Sequence, residues 1–339
     1  MTDLKTPRRL GLSDVFVSPV TFGAWAVGGW MWGGAEESES IAAIRASVDH
    51  GATTIDTAAV YGQGYGEEVV GKAIKGIRDR VQIATKCGMR WDAEAGGAGG
   101  CDPWQTEDRL GKPIEIRRNS RPESIVYELE QSLKRLGTDF IDLYQIHWPD
   151  TSTPVEDSMA TLVKLKDQGK IRAIGVSNYN AEWIRKASDA APVASLQPPY
   201  SLIQRKIEPE ILPLCRERNI GVIVYSPLER GLLTGSVGPD RTFPPGDHRA
   251  SHRFFTVENR ERVKKALDAI QPIANAHNAN LAQVVINWTI QEPGITAALV
   301  GARNAEQAAD NAKAMDFTLN PEERGLIRSV FEPVSAAMM

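Results

Sequence analysis

Short apolar or β-branched runs alternate with helical patterns along almost the whole chain. Between the runs, apolar side chains recur every three or four residues, as in the stripe of Ile125, Leu129, Leu133 and Leu136, which is typical of helices packed on a core. Strands that alternate with helices form parallel sheets, and eight such units close into a barrel. We therefore predict an α/β fold of the (β/α)8 TIM-barrel type. The predicted strands are residues 19–23, 53–56, 81–86, 140–147, 170–177, 194–197, 221–226 and 297–301.

The competing fold is the doubly wound sheet, which carries the pattern Gly-x-Gly-x-x-Gly after an early strand. The stretch from Gly62 to Glu67 reads Gly-Gln-Gly-Tyr-Gly-Glu, so its last glycine falls one position early. We therefore favour the barrel. Residues 9–17, ahead of the first strand, are interpreted as a small N-terminal hairpin that plugs the bottom of the barrel.

Two helix starts carry the signature of a capping box with a proline at the first helical position. One is Thr153-Pro154-Val155-Glu156, and the other is Asn320-Pro321-Glu322-Glu323 near the C-terminus. Each predicts that a helix begins at the proline.

Two long segments interrupt the alternation, and both follow strand ends on the C-terminal face of the predicted barrel. Residues 88–120 are rich in glycine and charge and contain Trp91 and Trp104, whereas residues 229–255 contain several glycines and prolines. Loops of this length commonly act as lids or binding loops. We therefore predict two long irregular loops that close over a ligand, with disordered insertions as the alternative.

Length, charge and cysteine content exclude several classes of protein. A chain of 339 residues fits one barrel domain spanning residues 1–339, and a net charge of −4 argues against nucleic acid as the main partner. The three cysteines are too few and too irregularly spaced for a disulfide framework or a zinc site. The charged N-terminus has no signal-peptide core, and no apolar run approaches the roughly 18 residues that span a membrane. We expect a cytoplasmic protein that does not bind membranes.

Four side chains capable of proton chemistry stand at the ends of consecutive predicted strands. Asp56 ends the second strand and Tyr61 follows it, Lys86 ends the third strand, and His147 ends the fourth. Because catalytic groups of barrels lie at these ends, we expect the four to converge. A lysine ammonium lowers the pKa of a neighbouring tyrosine from its usual value of ~10, and a carboxylate holds the lysine charged. Taken singly, each residue also fits a turn, rim or core position; together they predict a site in which His147 orients a carbonyl oxygen.

The order of the motifs along nearly the whole chain resembles that of the aldo-keto reductases. The resemblance implies a nicotinamide cofactor bound in extended form and hydride transfer to or from the carbonyl carbon of an aldehyde or ketone, sugar-like substrates included. It makes Tyr61 the general acid, Lys86 and Asp56 its tuning pair, and His147 the orienting donor. The motifs are Asp56-Thr57-Ala58, Tyr61-Gly62, Thr85-Lys86, Leu143-Tyr144-Gln145-Ile146-His147, Gly175-Val176-Ser177-Asn178-Tyr179, Gln197-Pro198-Pro199-Tyr200-Ser201, Tyr225-Ser226-Pro227-Leu228 and Gly301-Ala302-Arg303 with Gln307 and Asn311.

The resemblance also implies which residues hold the cofactor. Ser177, Asn178 and Gln197 would bind the carboxamide, and Tyr225 would stack on the nicotinamide ring. The remaining residues assigned to the cofactor are Ser226, Leu228, Gly231 and Leu233 at the pyrophosphate, Asp310 and Asn311 on the adenine side, and Gly301, Arg303, Gln307 and Trp25.

Cofactor choice depends on the segment after the eighth strand. Many relatives carry a proline at the position of Val300 and a basic residue at Gly301 or Gln307, and this chain has only Arg303 there. An arginine fork suits a 2′-phosphate, so we predict NADPH/NADP+ with NADH also possible.

The tryptophans near these motifs are candidates for the substrate pocket. Trp148 directly follows His147, and we assign Trp148 and Trp30 to the substrate site. Trp25 and Trp32 fit the same pocket, and the alternative for all four is a place in the core.

Two rival functions follow from the same fold. Metal-dependent hydrolysis needs clustered ligands at strand ends, usually including two histidines, and only His248 and His252 lie close in sequence. We therefore predict no metal. The second rival is a cofactor-binding regulatory subunit of a channel with little turnover. The sequence predicts a small-molecule carbonyl or alcohol as substrate, and it does not predict an oligomeric state.

Overall fold

The computed structural model describes residues 3–29, 36–243 and 247–338. Within them, the strands in chain order are β1 (Arg8–Arg9), β2 (Phe16–Val17), β3 (Val20–Gly23), β4 (Thr54–Asp56), β5 (Gln82–Cys87), β6 (Met89–Arg90), β7 (Cys101–Glu107), β8 (Pro113–Arg118), β9 (Ile141–Ile146), β10 (Ile171–Ser177), β11 (Val193–Gln197), β12 (Gly221–Val224) and β13 (Ala297–Val300). The α-helices are α1 (Glu37–Asp49), α2 (Tyr65–Ile74), α3 (Pro122–Leu136), α4 (Val155–Asp167), α5 (Ala181–Ala190), α6 (Ile211–Glu217), α7 (Val257–Ala276), α8 (Leu281–Gln291), α9 (Ala305–Ala312) and α10 (Pro321–Met338).

Parallel strands close a barrel in the part of the chain that the structure describes. The order around the barrel is β3, β4, β5, β9, β10, β11, β12 and β13, and β13 pairs back to β3. Because this order is the order along the chain, each helical connection returns the chain to the next strand. All eight predicted strands are present with ends shifted by one or two residues, and the predicted (β/α)8 barrel is confirmed.

The apolar stripes of the helices are buried. Ile125, Leu129 and Leu136 of α3 are buried, and so are Val263 and Ile270 of α7. Such stripes remove apolar surface from water on one side of each helix, which is why the 3.6-residue period was a usable signal. None of the described helices is both long enough and apolar enough to cross a membrane.

One of the two predicted capping boxes forms. At α10 the side chain of Asn320 accepts from the Glu323 backbone N–H at 2.9 Å, and Glu323 Oε2 accepts from the Asn320 N–H at 2.8 Å. The prediction for α4 is wrong, because Thr153 Oγ1 instead donates to Asp150 Oδ2 at 2.8 Å and the helix begins at Val155 without a side-chain cap. Asp150 competes successfully because it lies within one turn of Thr153.

The predicted N-terminal hairpin is confirmed, and it plugs the bottom of the barrel. Its strands pair antiparallel through Arg8 with Val17 and Arg9 with Phe16. Leu10, Val15 and Val17 pack against inward-facing barrel side chains that include Ala84 and Leu143. The barrel interior is therefore closed to water at this end by apolar contacts.

Residues 88–120 are not the irregular loop that we predicted. The segment contains three antiparallel strands in the order β6-β8-β7, with Trp104 opposite Ile116 and Thr106 opposite Ile114. Residues 229–255, apart from 244–246, contain short 3-10 turns and no described strand. The first segment is thus an ordered sheet on the C-terminal face, and its movement over a ligand stays a prediction.

The plug should contribute measurably to stability. We expect Leu10→Ala to lower the free energy of unfolding by about 2–5 kcal/mol, because it leaves a cavity under the barrel. The matched control is Leu12→Ala in the same hairpin, where the side chain is 68% exposed and the loss should stay within about 0.5 kcal/mol. Urea unfolding followed by circular dichroism measures both. Equal losses in the two variants would contradict a plugging role for Leu10.

Candidate active site

The interior of the barrel changes from apolar to polar toward its C-terminal end. Alternate residues of each strand point inward. Ala84 and Leu143 belong to the apolar cluster above the hairpin plug. Two residues further along the same strands come Lys86 and Gln145, both fully buried. This alternation places a polar layer directly beneath the mouth of the barrel.

Lys86 is the centre of the polar layer. Its Nζ lies 2.5 Å from Asp56 Oδ1 and donates to the Thr57 carbonyl oxygen at 2.9 Å. The third contact is the hydroxyl of Tyr61, at 3.4 Å. Three partners around one ammonium account for its three donors. The ion pair and the phenol that we predicted from two strand ends are therefore in direct contact.

The charges of this group follow from burial and from each other. Burial favours the neutral form of Lys86, but Asp56 and Tyr61 outweigh it, and the pKa of Lys86 is raised. Burial also raises the pKa of Tyr61, and the positive charge of Lys86 offsets part of this rise. At neutral pH the site therefore holds a charged lysine beside a protonated phenol, which is a proton donor with a cation ready to stabilise its anion.

His147 completes the predicted set of four. Its ring meets the Tyr61 ring edge to face, with centroids 5.8 Å apart. Burial, and to a lesser extent the charge of Lys86, hold the pKa of His147 well below its usual value. A neutral imidazole has one N–H and one acceptor nitrogen. His147 can therefore donate a hydrogen bond next to Tyr61 without bringing a second positive charge.

The residues assigned to the carboxamide form a connected network beside the four. Tyr225 O–H donates to Asn178 Oδ1 at 2.9 Å, and Asn178 Nδ2 donates to the His147 carbonyl oxygen at 3.0 Å. Ser177 Oγ donates to the Gln197 carbonyl oxygen at 2.8 Å. The Gln197 side chain donates to Asp56 Oδ2 at 2.8 Å, so the network joins the catalytic group directly.

The segment after β12 has a backbone suited to an anion. Positive φ angles occur at Ser226 (59°), Glu229 (44°), Arg230 (56°) and Gly231 (92°). Such turns direct consecutive backbone amides to one side, and a run of strained non-glycine residues marks a functional segment. Leu228 is half-buried at the start of this turn. The assignment of Ser226, Leu228 and Gly231 to a pyrophosphate stays a prediction.

Two of the residues assigned to the cofactor have side chains that make other contacts. Leu233 is fully buried in the main apolar core, and its backbone N–H donates to the Leu228 carbonyl oxygen at 3.2 Å. Asp310 accepts from Gln283 Nε2 at 2.8 Å and from Asn280 Nδ2. Both side chains are thus engaged in holding α8 and the core together.

The remaining cofactor candidates surround the start of α9. Asn304 caps this helix, and Gln307 Oε1 accepts from the Arg303 backbone N–H at 3.0 Å. Asn311 Nδ2 donates to the Gly301 carbonyl oxygen at 3.1 Å. Arg303 is exposed at this helix N-terminus, where the backbone dipole also favours an anion.

Aromatic side chains form one wall of the site. Trp148 packs with Tyr61, Trp91, Trp104 and Ile116 in a cluster between the barrel and the sheet β6-β8-β7. The guanidinium of Arg118 lies over the Trp148 ring, 4.9 Å from its centroid. On the opposite side, the Trp25 ring lies 6.5 Å from the Tyr61 ring. Trp30 and Trp32 lie outside the described residues.

Two features of the site were missed by the sequence analysis. Gln145 was quoted only as part of a motif, although period-two alternation with His147 places it on the same inward face. The aromatic wall from Trp91 and Trp104 was assigned to a loop. The alternation of Ile114 and Ile116 with charged residues was the signal that predicts a strand there.

No group of three or more His, Cys, Asp or Glu side chains suited to a metal ion occurs among the residues that the structure describes.

Comparison with known proteins supports a common origin for this arrangement. The model of the Aldo/keto reductase family matches residues 19–332. The NADH-specific methylglyoxal reductase of Escherichia coli (strain K12) is 36% identical over 329 residues, covering 95% of this chain and 97% of that protein. The glycerol dehydrogenase AKR11B4 from Gluconobacter oxydans superposes with a TM-score of 0.86 at 36% identity, covering 98% and 96% of the two chains. An aldo-keto reductase from Klebsiella pneumoniae in complex with NADPH gives a TM-score of 0.71 at 28% identity, with 96% and 95% coverage.

Removing one partner of the buried ion pair should destabilise the protein. We expect Lys86→Met to lower the free energy of unfolding by about 3–5 kcal/mol, because it leaves the Asp56 carboxylate buried without its cation. The double variant Asp56→Asn/Lys86→Met should lose less, because the unpaired charge is gone. Urea unfolding measures both.

The control for this prediction is an exposed ion pair on α5. Lys186 and Glu182 have side chains that are 51% and 68% exposed, so Lys186→Met should leave the free energy of unfolding nearly unchanged. If Lys86→Met lowered the free energy of unfolding no more than Lys186→Met does, the Lys86–Asp56 pair would not be the buried, mutually dependent pair that the distances indicate.

Proposed function

The chain belongs to the aldo/keto reductase family of NAD(P)H-dependent oxidoreductases, and we propose that Tyr61 is the general acid with which it reduces a carbonyl to an alcohol. The observation that carries this assignment is the position of Lys86 Nζ, 2.5 Å from Asp56 Oδ1 and 3.4 Å from the Tyr61 hydroxyl. Reversal of the same step makes Tyr61 the base in alcohol oxidation.

The four residues divide the proton chemistry among them. The neutral His147 donates a hydrogen bond to the carbonyl oxygen of the substrate and sets its orientation toward Tyr61. Tyr61 then transfers its proton to that oxygen as negative charge develops there. Lys86 stabilises the phenolate left on Tyr61, and Asp56 keeps Lys86 charged and in place. Aromatic side chains around Tyr61 limit competing hydrogen bonds from water.

A nicotinamide cofactor supplies the hydride when bound. Ser177, Asn178 and Gln197 would hold its carboxamide, since all three carry amide or hydroxyl groups at the edge of the polar layer. Tyr225 would support the ring, and the positive-φ backbone from Ser226 to Gly231 would bind the pyrophosphate. The cleft would be completed by Trp25, Gly301, Gln307 and Asn311. Leu233 and Asp310 would act indirectly, Leu233 by packing in the apolar core and Asp310 by its hydrogen bonds to the start of α8.

NADPH is the preferred cofactor in this proposal, and NADH is accepted as well. Arg303 and the N-terminus of α9 offer a 2′-phosphate a guanidinium fork and a favourable dipole. One structural neighbour was solved with NADPH, whereas the E. coli relative is named as NADH-specific. Both cofactors therefore occur among proteins of this family that resemble the chain.

The substrate that fits the site is a small aldehyde or ketone. Trp148, Trp91 and Trp104 provide flat apolar faces next to Tyr61, which suit an alkyl, aromatic or sugar-like flank of the carbonyl. Relatives named as acting on methylglyoxal and glycerol are consistent with small, oxygen-rich substrates.

Three further statements belong to the proposal. Residues 1–339 act as one domain, since the hairpin at the N-terminal end packs inside the barrel. A cytoplasmic location also belongs to the proposal, as predicted from the cysteine content. The regulatory alternative has no support from the comparisons, and the contact between Lys86 and Tyr61 favours turnover.

Replacing the proposed acid should abolish most turnover without removing cofactor binding. For Tyr61→Phe we expect carbonyl reduction to fall by roughly 10²–10⁴-fold, the usual contribution of general acid catalysis. The control is Tyr65→Phe, whose hydroxyl contacts Glu37 rather than Lys86 and whose rate should stay near that of the wild type. NADPH oxidation with a panel of aldehydes, ketones and keto-sugars measures the rates. Near-wild-type turnover by Tyr61→Phe would eliminate Tyr61 as the acid.

Cofactor choice should depend on Arg303. A charge-assisted hydrogen bond contributes about 1.5–3 kcal/mol, or roughly 10- to 150-fold in affinity. We expect Arg303→Ala to weaken NADPH binding by about that factor and to leave NADH binding nearly unchanged. Titration of both cofactors by tryptophan fluorescence tests this, with Lys265→Ala on α7 as a control for net charge. Equal losses for NADPH and NADH would show that Arg303 does not read the 2′-phosphate.

A further inference from the structure

Gln145 is a buried amide at the centre of the polar layer with no role in the chemistry described so far. It lies on β9, two residues before His147, and is fully buried. Its Nε2 is 3.4 Å from Asp56 Oδ2, and its Oε1 is 3.4 Å from Gln197 Nε2. Gln145 therefore contacts both the carboxylate that holds Lys86 and the amide that shares that carboxylate.

The fold makes room for this side chain at a specific glycine. A Cβ atom at Gly175 on β10 would lie 2.8 Å from Gln145 Cγ and 2.4 Å from Ser195 Oγ. Real Cβ atoms do not approach other atoms so closely, so any larger residue at 175 would displace Gln145 or Ser195. The place of Gln145 beside Asp56 is thus built by two neighbouring strands.

Asp56 Oδ2 consequently has two amide donors at different distances. Gln197 Nε2 donates at 2.8 Å and Gln145 Nε2 lies at 3.4 Å. Gln197 also belongs to the group proposed to hold the carboxamide. Its Nε2 has two hydrogens, directed to Asp56 Oδ2 at 2.8 Å and to Gln145 Oε1 at 3.4 Å, so turning the Nε2 group toward the carboxamide takes it away from Asp56. A buried carboxylate oxygen that loses its donor is destabilised. The second donor is already beside it.

We propose that Gln145 is a positioning residue that keeps Asp56 hydrogen-bonded when Gln197 turns toward the carboxamide. This inference rests on the proposed function of Gln197. We call this exchange of donors at Asp56 Oδ2 the handover. It couples binding at the carboxamide site to the contacts from Asp56 through Lys86 to Tyr61, because the strength with which Asp56 Oδ1 holds Lys86 depends on the hydrogen bonds that Asp56 Oδ2 accepts. Gln145 touches neither substrate nor cofactor.

A double-mutant cycle on cofactor affinity tests the handover. Gln145→Met keeps an unbranched side chain but removes the donor, so releasing Gln197 from Asp56 becomes unfavourable, and the NADPH dissociation constant should rise roughly 3- to 10-fold, about one hydrogen bond. Gln197→Met should also raise it. In the Gln197→Met background, Gln145→Met should not raise the NADPH dissociation constant any further, because Gln145 there donates to Asp56 both before and after the cofactor binds. Tryptophan fluorescence on the full-length chain gives all four constants.

The pH profile of kcat supplies a second readout, which purely structural damage would not shift. The charged or titratable groups facing Tyr61 are Lys86, Asp56, His147 and Tyr225. With Gln145 absent, the Asp56 charge is less compensated and disfavours the Tyr61 phenolate. Reduction requires protonated Tyr61, so the rate falls as pH rises through its pKa, and in Gln145→Met this alkaline limb should move to higher pH.

Matched variants keep the test decisive. Tyr144→Phe removes a buried hydroxyl from the adjacent position of β9, on its outward face, and should leave both the NADPH constant and the alkaline limb unchanged. If Gln145→Met does not fold, Gln145→Asn retains the amide but is one methylene shorter, and it should show the same two effects.

The outcomes distinguish a failure of this inference from a failure of the proposed carboxamide role of Gln197. Additive losses in the cycle, or an unmoved alkaline limb, overturn the role of Gln145 while the function of Gln197 stands. An NADPH constant unaffected by Gln197→Met overturns the carboxamide assignment and the handover together.

Discussion

The buried ion pair between Lys86 and Asp56 is the interaction on which the rest of the site depends. A cation with no exposed surface is stable only where opposite charge and acceptors surround it, and Asp56 Oδ1 and the Thr57 carbonyl provide them. The same desolvation makes the field of Lys86 strong at Tyr61 and at His147. This charge therefore stabilises the phenolate form of Tyr61, while burial and, to a lesser extent, the same charge hold the pKa of the neighbouring imidazole low.

The barrel explains why such a pair can be held dry. Its lower interior is filled by small apolar side chains such as Ala84 and by Leu10 of the hairpin, so water has no entry from below. Adjacent strands then place Asp56, Lys86 and Gln145 at successive positions around one layer. On the upper side, Trp104 and Ile116 of the antiparallel sheet cover the approach to Tyr61. The plug and the sheet thus protect the charge from opposite ends.

The sequence predicted the elements in which burial imposes a regular pattern of apolar residues. It did not predict the sheet that has one face in solvent. The barrel strands are buried on both sides, so their apolar runs and the polar residues that end them were visible, including Asp56, Lys86 and His147. The sheet within 88–120 begins with glycines and carries charges on its outer face, which obscured the alternation around Ile114 and Ile116. Contacts between distant strands, such as Gln197 with Asp56, have no local signal at all.

The network around Asp56 also explains why a polar interior can fix side-chain orientations more strictly than an apolar one. Each buried group must find a partner, so the orientations of Gln197, Gln145 and Lys86 are mutually determined. Under the proposed handover, a ligand that recruits Gln197 would also change the donor that serves Asp56. In the proposed handover, binding at the edge of the layer would be transmitted to Tyr61 through these hydrogen bonds, without a movement of the barrel. The same restriction holds in both directions of the reaction, since proton transfer to or from Tyr61 alters the charge that Lys86 and Asp56 must share.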